Sequence, residues 1–206
     1  FIKSKNASNP VLLFLHGGPV MPEYFLTQTY TTRLEEFFTV VWWDQRGAGL
    51  SYNPEIPLET MTIDQIVEDT IEVTNYLRER FGKEKIYLMG HSGGSFIGIK
   101  TANRAPELYY AYIGIGQMTY QIKSENLAFN YMLKEYKRQG DKKMVERLVN
   151  SPPGMLSPLS DAYLRLRDDA MHRIGIGTTR KMRSVISGIF IPSLLNREYT
   201  IIEKLN

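Results

Sequence analysis

Gly90-His91-Ser92-Gly93-Gly94 sets a serine among small residues directly after the apolar run Ile86-Tyr87-Leu88-Met89. Gly-x-Ser-x-Gly at the end of a strand is the pattern of a nucleophile elbow, a sharp strand-to-helix turn that lifts the serine hydroxyl above the sheet edge. Such a turn forces Ser92 into a strained backbone conformation. Gly is required at 90 and 94 because a Cβ there would collide with the neighbouring strand or helix. The chemistry this permits is attack of a serine hydroxyl on an acyl carbonyl. A helix read from Phe96 to Arg104, stopped before Pro106, would point its free N–H groups and partial positive charge at the oxygen where negative charge develops. The competing reading, an incidental serine in a tight turn, is disfavoured by the strand–turn–helix context.

Two further loops follow strand-like runs. Val11 to Leu15 is continuously apolar, the mark of a strand buried on both faces of a parallel sheet, and it leads into His16-Gly17-Gly18-Pro19. A loop this rich in glycine lets backbone N–H groups approach a ligand closely, as an oxyanion hole requires. Taken alone it reads equally well as a strand-ending turn; beside the elbow, the oxyanion reading prevails. Phe38 to Trp43 is the next buried strand, followed by Asp44-Gln45-Arg46-Gly47-Ala48-Gly49-Leu50-Ser51. Arg46 there is expected to hold the loop by hydrogen bonds rather than to do acid–base work.

The elements that must position these loops alternate regularly. Phe1-Ile2-Lys3 reads as the end of a strand and Tyr24 to Phe37 as a helix with Pro22 near its first turn. Thr62 with Gln65 three residues on forms a capping box opening a long helix to about Phe81. Ile63, Ile66, Val67, Thr70, Ile71, Thr74 and Leu77 make one core-facing stripe along it. Ala111 to Gly116 is a further strand. Strands alternating with helices imply an α/β fold with a mostly parallel sheet, flanking helices and ligands at the carboxyl ends of the strands. After Gln117 the reading is helical: 124–139, 142–149, 159–173, 179–187 and 197–205, broken at Pro152-Pro153-Gly154. Residues 1–118 are therefore expected to form the α/β core, and 119–206 a helical cap or small second domain.

Composition narrows the classes. A chain of 206 residues with 43% hydrophobic content builds one substantial core. A net charge of +3, dispersed, gives no reason to expect nucleic acid as a partner. The absence of cysteine excludes disulfides, zinc–thiolate sites and a cysteine nucleophile. No metal or other cofactor is expected, no apolar run is long enough to span a bilayer, and a cytoplasmic location is favoured. Because the sequence begins at Phe1 rather than Met, it is expected to be a piece of a longer protein.

His16-Gly17-Gly18-Pro19-Val20, the loop from Asp44 to Ser51, and Gly90-x-Ser92-x-Gly94, in this order and spacing, resemble the α/β-hydrolase fold family and, within it, the prolyl-iminopeptidase-like group. The resemblance covers roughly the first 120 residues, and the helical remainder looks like that family's cap. It implies hydrolysis through an acyl-enzyme, with Ser92 as nucleophile and the N–H groups of Gly18 and Gly93 as the oxyanion hole. Val20 departs from the glycine usual in the first motif. In this fold the triad runs Ser, then Asp or Glu, then His, yet the only later histidine is His172, among Arg167, Asp168, Asp169 and Arg173. It reads as a solvated residue. His16 begins the oxyanion loop, and His91 directs its side chain away from Ser92, so neither reads as a base.

The chain is thus expected to lack the triad acid and base and the C-terminal part of the core. By itself it should be inactive, and it should self-associate or pair with the missing part through uncovered sheet. The leading function is a serine hydrolase cleaving N-terminal residues from small peptides. Esterase or amidase action on small acyl substrates stands close behind, and a non-catalytic ligand-binding protein of the same fold is the rival. A substrate's free amine would call for acidic residues on the cap; Glu125, Glu135 and Asp161 are available, although surface charge is the simpler role for each.

Overall fold

The computed structural model describes residues 1–18, 22–154, 159–176 and 186–205. The chain divides into two compact units, Phe1–Met118 together with Pro192–Asn206, and Thr119–Ile191.

The first unit is built on a five-stranded sheet: β1 (Ile2–Lys3), β2 (Val11–Leu15), β3 (Thr39–Trp43), β4 (Ile86–His91) and β5 (Tyr109–Ile115), in the order β1-β3-β2-β4-β5. β2 to β5 run parallel, and β1 pairs antiparallel to β3. Leu13 stands opposite Val41 on one side and Leu88 on the other. The apolar runs are continuous because both faces are covered. Val11, Leu13, Leu15, Val41 and Leu88 pack on Val67 and Leu77 of α2 (Ile63–Phe81) and Ile97 of α3 (Gly93–Arg104). The alternate residues Leu12, Phe14, Val40, Trp42 and Met89 pack on Tyr24 of α1 (Tyr24–Thr29) and on Tyr199. The sheet is an α/β-hydrolase-type layer, mostly parallel with flanking helices.

Strand order decides where a ligand can sit. From β2 the chain moves to β3 on one side, then returns to β4 on the other. The order therefore reverses beside β2, and such a switch point opens a crevice at the carboxyl ends of the two strands it separates. Those ends carry His16-Gly17-Gly18 after β2 and Ser92 after β4.

Local structure departs from the sequence reading in several places. The helix expected over 24–37 ends at Thr29; Arg33 takes a positive φ of 58°, and only a 3₁₀ turn, Leu34–Glu36, follows. The β-branched Thr29, Thr31 and Thr32 lose side-chain freedom in a helix, which weakens its continuation. Thr62 does cap α2, accepting from the Gln65 N–H at 3.1 Å, but Gln65 completes no box: its side chain donates to Asp69 Oδ1 at 2.9 Å. The α2 stripe buries Val67, Thr70, Thr74 and Leu77, while Ile63 stays exposed. α3 starts at Gly93 rather than Phe96.

The second unit has its own core. α4 (Gln121–Gln139), α5 (Lys142–Val149) and α6 (Asp161–Arg173) bury Met132, Tyr136, Met144, Leu148, Tyr163, Leu166 and Ala170 together. Tyr136 OH donates to the Ala170 carbonyl at 2.7 Å, and Asp141 caps α5 by accepting from the Met144 N–H at 2.9 Å. Of the helix expected over 179–187, residues 179–185 lie outside those described; Ile186–Phe190 forms a π-helical turn. Among the described residues near the end, helix is limited to α7 (Ile191–Leu195) and α8 (Ile201–Leu205). The expected assignment of everything after residue 118 to one helical region needs correction, because Pro192–Asn206 belongs with the first unit. The cause is Tyr199, buried against the Phe1 ring, with its hydroxyl donating to Asp44 at 3.0 Å.

Leu13, fully buried in the strand between β3 and β4, should be the costliest single truncation in this sheet. Leu13→Ala is expected to lower unfolding free energy by about 2–5 kcal/mol, read from the shift in the urea midpoint at unchanged slope.

Candidate active site

Ser92 stands between the last residue of β4 and the first of α3 with φ 49° and ψ −120°. An L-residue with a side chain rarely occupies positive φ, and holding one there costs about 1–3 kcal/mol unless its surroundings over-determine it. They do. The Ser92 N–H donates to the Ile115 carbonyl at 2.9 Å, and the Ser92 carbonyl accepts from both the N–H and the hydroxyl of Ser95. Ser95 is fully buried; its hydroxyl accepts from the Met118 N–H at 2.9 Å and its carbonyl from Tyr112 OH at 2.7 Å. The two glycines of the motif make the junction sterically possible. A Cβ on Gly94 would overlap the carbonyls of Leu15 and His16, and one on Gly90 would overlap the Gly94 carbonyl. α3 is therefore seated directly on the end of β2.

That seating brings the first glycine loop to the serine. A Cβ built on Gly93 would lie 3.4 Å from the Gly18 nitrogen, and one on Gly17 would lie 2.8 Å from the Ser92 Cβ. Gly18 has φ 65°, a conformation that favours glycine. Among the described residues, neither the Gly18 N–H nor the Gly93 N–H has a hydrogen-bond partner. Gly18, far from Ser92 and Gly93 in sequence, is thus brought beside them. Pro19 and Val20, including the Val20 departure from the family pattern, lie outside the described residues.

His16 is a fixture of this loop. It is 3% exposed; its Nε2 accepts from the Gln45 N–H at 3.1 Å, and its Nδ1 lies 3.0 Å from the Gly17 carbonyl. An Nε2 that accepts leaves the proton on Nδ1, which donates to Gly17. Burial accordingly holds the imidazole below its ordinary pKa. The 44–51 loop is braced in the same manner. Asp44 accepts from the Leu50 N–H and from Tyr199 OH, both at 3.0 Å, and Arg46 makes a two-pronged pair with Asp69 of α2 at 2.6 and 2.7 Å. Arg46 plays the structural part its sequence context suggests.

Glu23 escaped sequence reasoning. Its Oε1 accepts from the Gly17 N–H at 2.9 Å and lies 2.7 Å from His91 Nδ1. This hydrogen bond raises the His91 pKa above its ordinary value against the opposing effect of burial. Glu23, Ser95 and Tyr112 carry no motif: each meets its partners only through tertiary folding. His172 lies in the last turn of α6, in the second unit. Of the acidic residues considered there, Glu125 is 3% exposed and accepts from Gln121 at 2.6 Å and Tyr163 OH at 2.9 Å. Arg167 Nε sits 2.9 Å from the same carboxylate, a charge contact outside hydrogen-bond geometry. Glu135 is taken up by Arg138 and Gln139, which hold its carboxyl at about 2, and Asp161 is the first residue of α6. Among the described residues no cluster of His, Asp and Glu suited to a metal ion occurs.

A mostly parallel sheet whose order reverses beside β2, with a serine at a strained strand–helix junction there, places the protein in the α/β-hydrolase class. Within that class, a family model described as serine aminopeptidase, S33, matches residues 8–184. The chain belongs to that family. It is 40% identical over 154 residues to the probable aminopeptidase YbaC of Bacillus subtilis, covering 74% of this chain and 48% of YbaC. It is 31% identical over 153 residues to a proline iminopeptidase of Saccharolobus solfataricus, covering 68% of this chain and 47% of that protein. The matched region thus spans about half the length of these curated relatives. A proline iminopeptidase-related protein from Thermus thermophilus aligns in structure with a TM-score of 0.49 and 30% identity, over 62% of this chain and 43% of that one.

The pKa values of His16 and His91 should be displaced in opposite directions from that of a free imidazole. Folding favours neutral His16, so its contribution to stability is present above pH 6.5 and is lost as pH falls through its lowered folded value. Folding favours protonated His91, so its contribution is present below pH 6.5 and is lost as pH rises through its raised folded value. NMR titration of the two imidazoles reads the pKa values directly. The stability difference between wild type and His91→Gln should shrink as pH rises above 6.5.

Proposed function

We infer that the full-length protein is a serine hydrolase that removes N-terminal residues from small peptides through an acyl-enzyme, with Ser92 as nucleophile. The observation that carries this reading is Ser92 in its strained turn beside two backbone N–H groups, those of Gly18 and Gly93, that no other group among the described residues uses. Attack by the Ser92 oxygen on a carbonyl carbon would place the developing oxyanion near these donors. The donors would stabilise that charge more than the ground-state carbonyl, which is the requirement for lowering the barrier. Membership of the serine aminopeptidase S33 family, and relatives named aminopeptidase and proline iminopeptidase, support a peptide N-terminus as the substrate.

A serine hydroxyl is a weak nucleophile until a base takes its proton. Among the described residues the Ser92 hydroxyl has no hydrogen bond to a histidine; His16 has both ring nitrogens engaged elsewhere, and His91 meets Glu23 through Nδ1. None of His16, His91 and His172 is proposed as the base, and residues 1–206 alone are expected to turn over only the remnant owed to binding and oxyanion stabilisation, roughly 10³–10⁴ over water; robust turnover that Ser92→Ala abolishes would assign a base within this chain, with His172 the first to test.

Fluorophosphonate labelling of the full-length protein tests the nucleophile. Mass mapping should find the label on Ser92 alone, and Ser92→Ala should lower kcat on proline or alanine amides by about 10⁴-fold or more. Label on Ser51 or Ser95, or no label at all, would overturn the assignment. Hydrolysis of short-chain esters with no action on amino-acid amides would replace the peptidase reading with an esterase.

A further inference from the structure

The loop after β2 and the end of β4 meet on one carboxylate oxygen. Glu23 Oε1 accepts from the Gly17 N–H at 2.9 Å and pairs with His91 Nδ1 at 2.7 Å. Gly17 immediately precedes Gly18, His91 immediately precedes Ser92, and Glu23 immediately precedes α1. A residue in that last position commonly turns its side chain onto its own helix, but Glu23 makes no such cap. Its side chain is 14% exposed and is spent on the two neighbouring loops. A Cβ built on Gly17 would stand 2.9 Å from Glu23 Oε1 and 2.8 Å from the Ser92 Cβ, so carboxylate and serine crowd the same side of Gly17.

We propose that Glu23 is a positioning residue for hydrolysis, its carboxylate tying the loop that carries Gly18 to the strand end that carries Ser92 and so fixing the spacing of oxyanion donor and nucleophile. The proposal rests on the serine-hydrolase reading above. Glu23 acts through Gly17 and His91 and touches no substrate. A bond to an ionised acceptor is stronger and shorter than a neutral one, and here one charged oxygen serves a donor from each side of the crevice. The other titratable groups nearby are His16, which feels the Glu23 charge from the same loop, and Asp44, which faces His16. His16 is fixed by Gly17 and Gln45, so its bonds hold the first loop to the 44–51 loop rather than to the elbow.

The test compares Glu23→Ala, Glu23→Gln and His91→Ala in the full-length protein, with Glu36→Gln, in an exposed ion pair with Arg33 and Lys5, as the control. Misplacing a donor by about an ångström costs up to roughly 10²-fold in rate. Glu23→Ala should therefore lower kcat about 10–100-fold with KM within about threefold, and slow fluorophosphonate labelling in parallel. Glu23→Gln keeps an oxygen acceptor and should recover most of the loss. A raised KM with unchanged kcat would overturn the proposal by making Glu23 a substrate ligand, and unchanged kinetics would overturn it outright. NMR of the amides provides an arm independent of turnover: both Glu23→Ala and His91→Ala should move the Gly17 and Gly18 N–H resonances, and unmoved resonances would overturn the tie. If Glu23→Ala fails to fold, Glu23→Gln and His91→Ala carry the comparison. If the wild-type protein neither hydrolyses substrate nor takes the label, the hydrolase reading fails, and the NMR arm alone decides whether the tie exists.

Discussion

The first turn of α3 rests on the carbonyls of Leu15 and His16, and it rests there because residue 94 has no side chain. That close approach is the constraint on which the rest of the site depends. It fixes the end of β4 against the end of β2 and sets Gly93 beside Gly18. It also leaves Ser92 a turn so short that only a positive φ completes it. Strain of this kind survives only where several independent contacts enforce it. Here Ile115 holds the Ser92 nitrogen, Ser95 holds its carbonyl, and Tyr112 and Met118 hold Ser95 in turn. β5 thus braces the serine from the side opposite the glycine loop.

Around this steric constraint the polar groups form a connected frame. A neutral His16 joins the first loop to Gln45; Asp44 gathers the Leu50 N–H and the Tyr199 hydroxyl; Arg46 ties the same loop to α2. Buried polar groups are costly unless partnered, and these are partnered across loops as well as within them. The frame makes three separate turns behave as one support. It also explains why two histidines of the same chemistry are shifted in opposite directions: burial lowers the pKa of enclosed His16, whereas the hydrogen bond with the Glu23 carboxylate raises that of His91.

The second unit follows a different logic. Its three helices close over aromatic and methionine side chains, with the Glu125 carboxylate inside the core beside Tyr163 and Arg167. A buried charge with its counter-charge and hydrogen bonds in place is tolerable, but removal of one partner leaves the other uncompensated. Glu125 is therefore part of this unit's internal structure, a role its sequence position among ordinary helical residues does not announce.

The sequence by itself determined the strands, the long helices and the place of the serine. These signals are local: Val11–Leu15 is apolar at every position because both faces of the sheet are covered, and Gly90-x-Ser92-x-Gly94 reports the crowding at one turn. Where competing local preferences were weak, the reading slipped, as at Thr29–Arg33, where a helix stops short, and at Gln65, which turns to Asp69 instead of closing a capping box. What only the tertiary structure decided is which distant residues meet. Glu23 reaches His91 across 68 positions, Tyr199 reaches Asp44 across 155, and the latter contact returns the chain's last segment to the first unit. A lone Glu before a short helix, or a lone Tyr near the end, has no periodicity or spacing to mark it. Its partner is set by the order of strands in the sheet, and that order is a property of the packed chain rather than of any stretch of it.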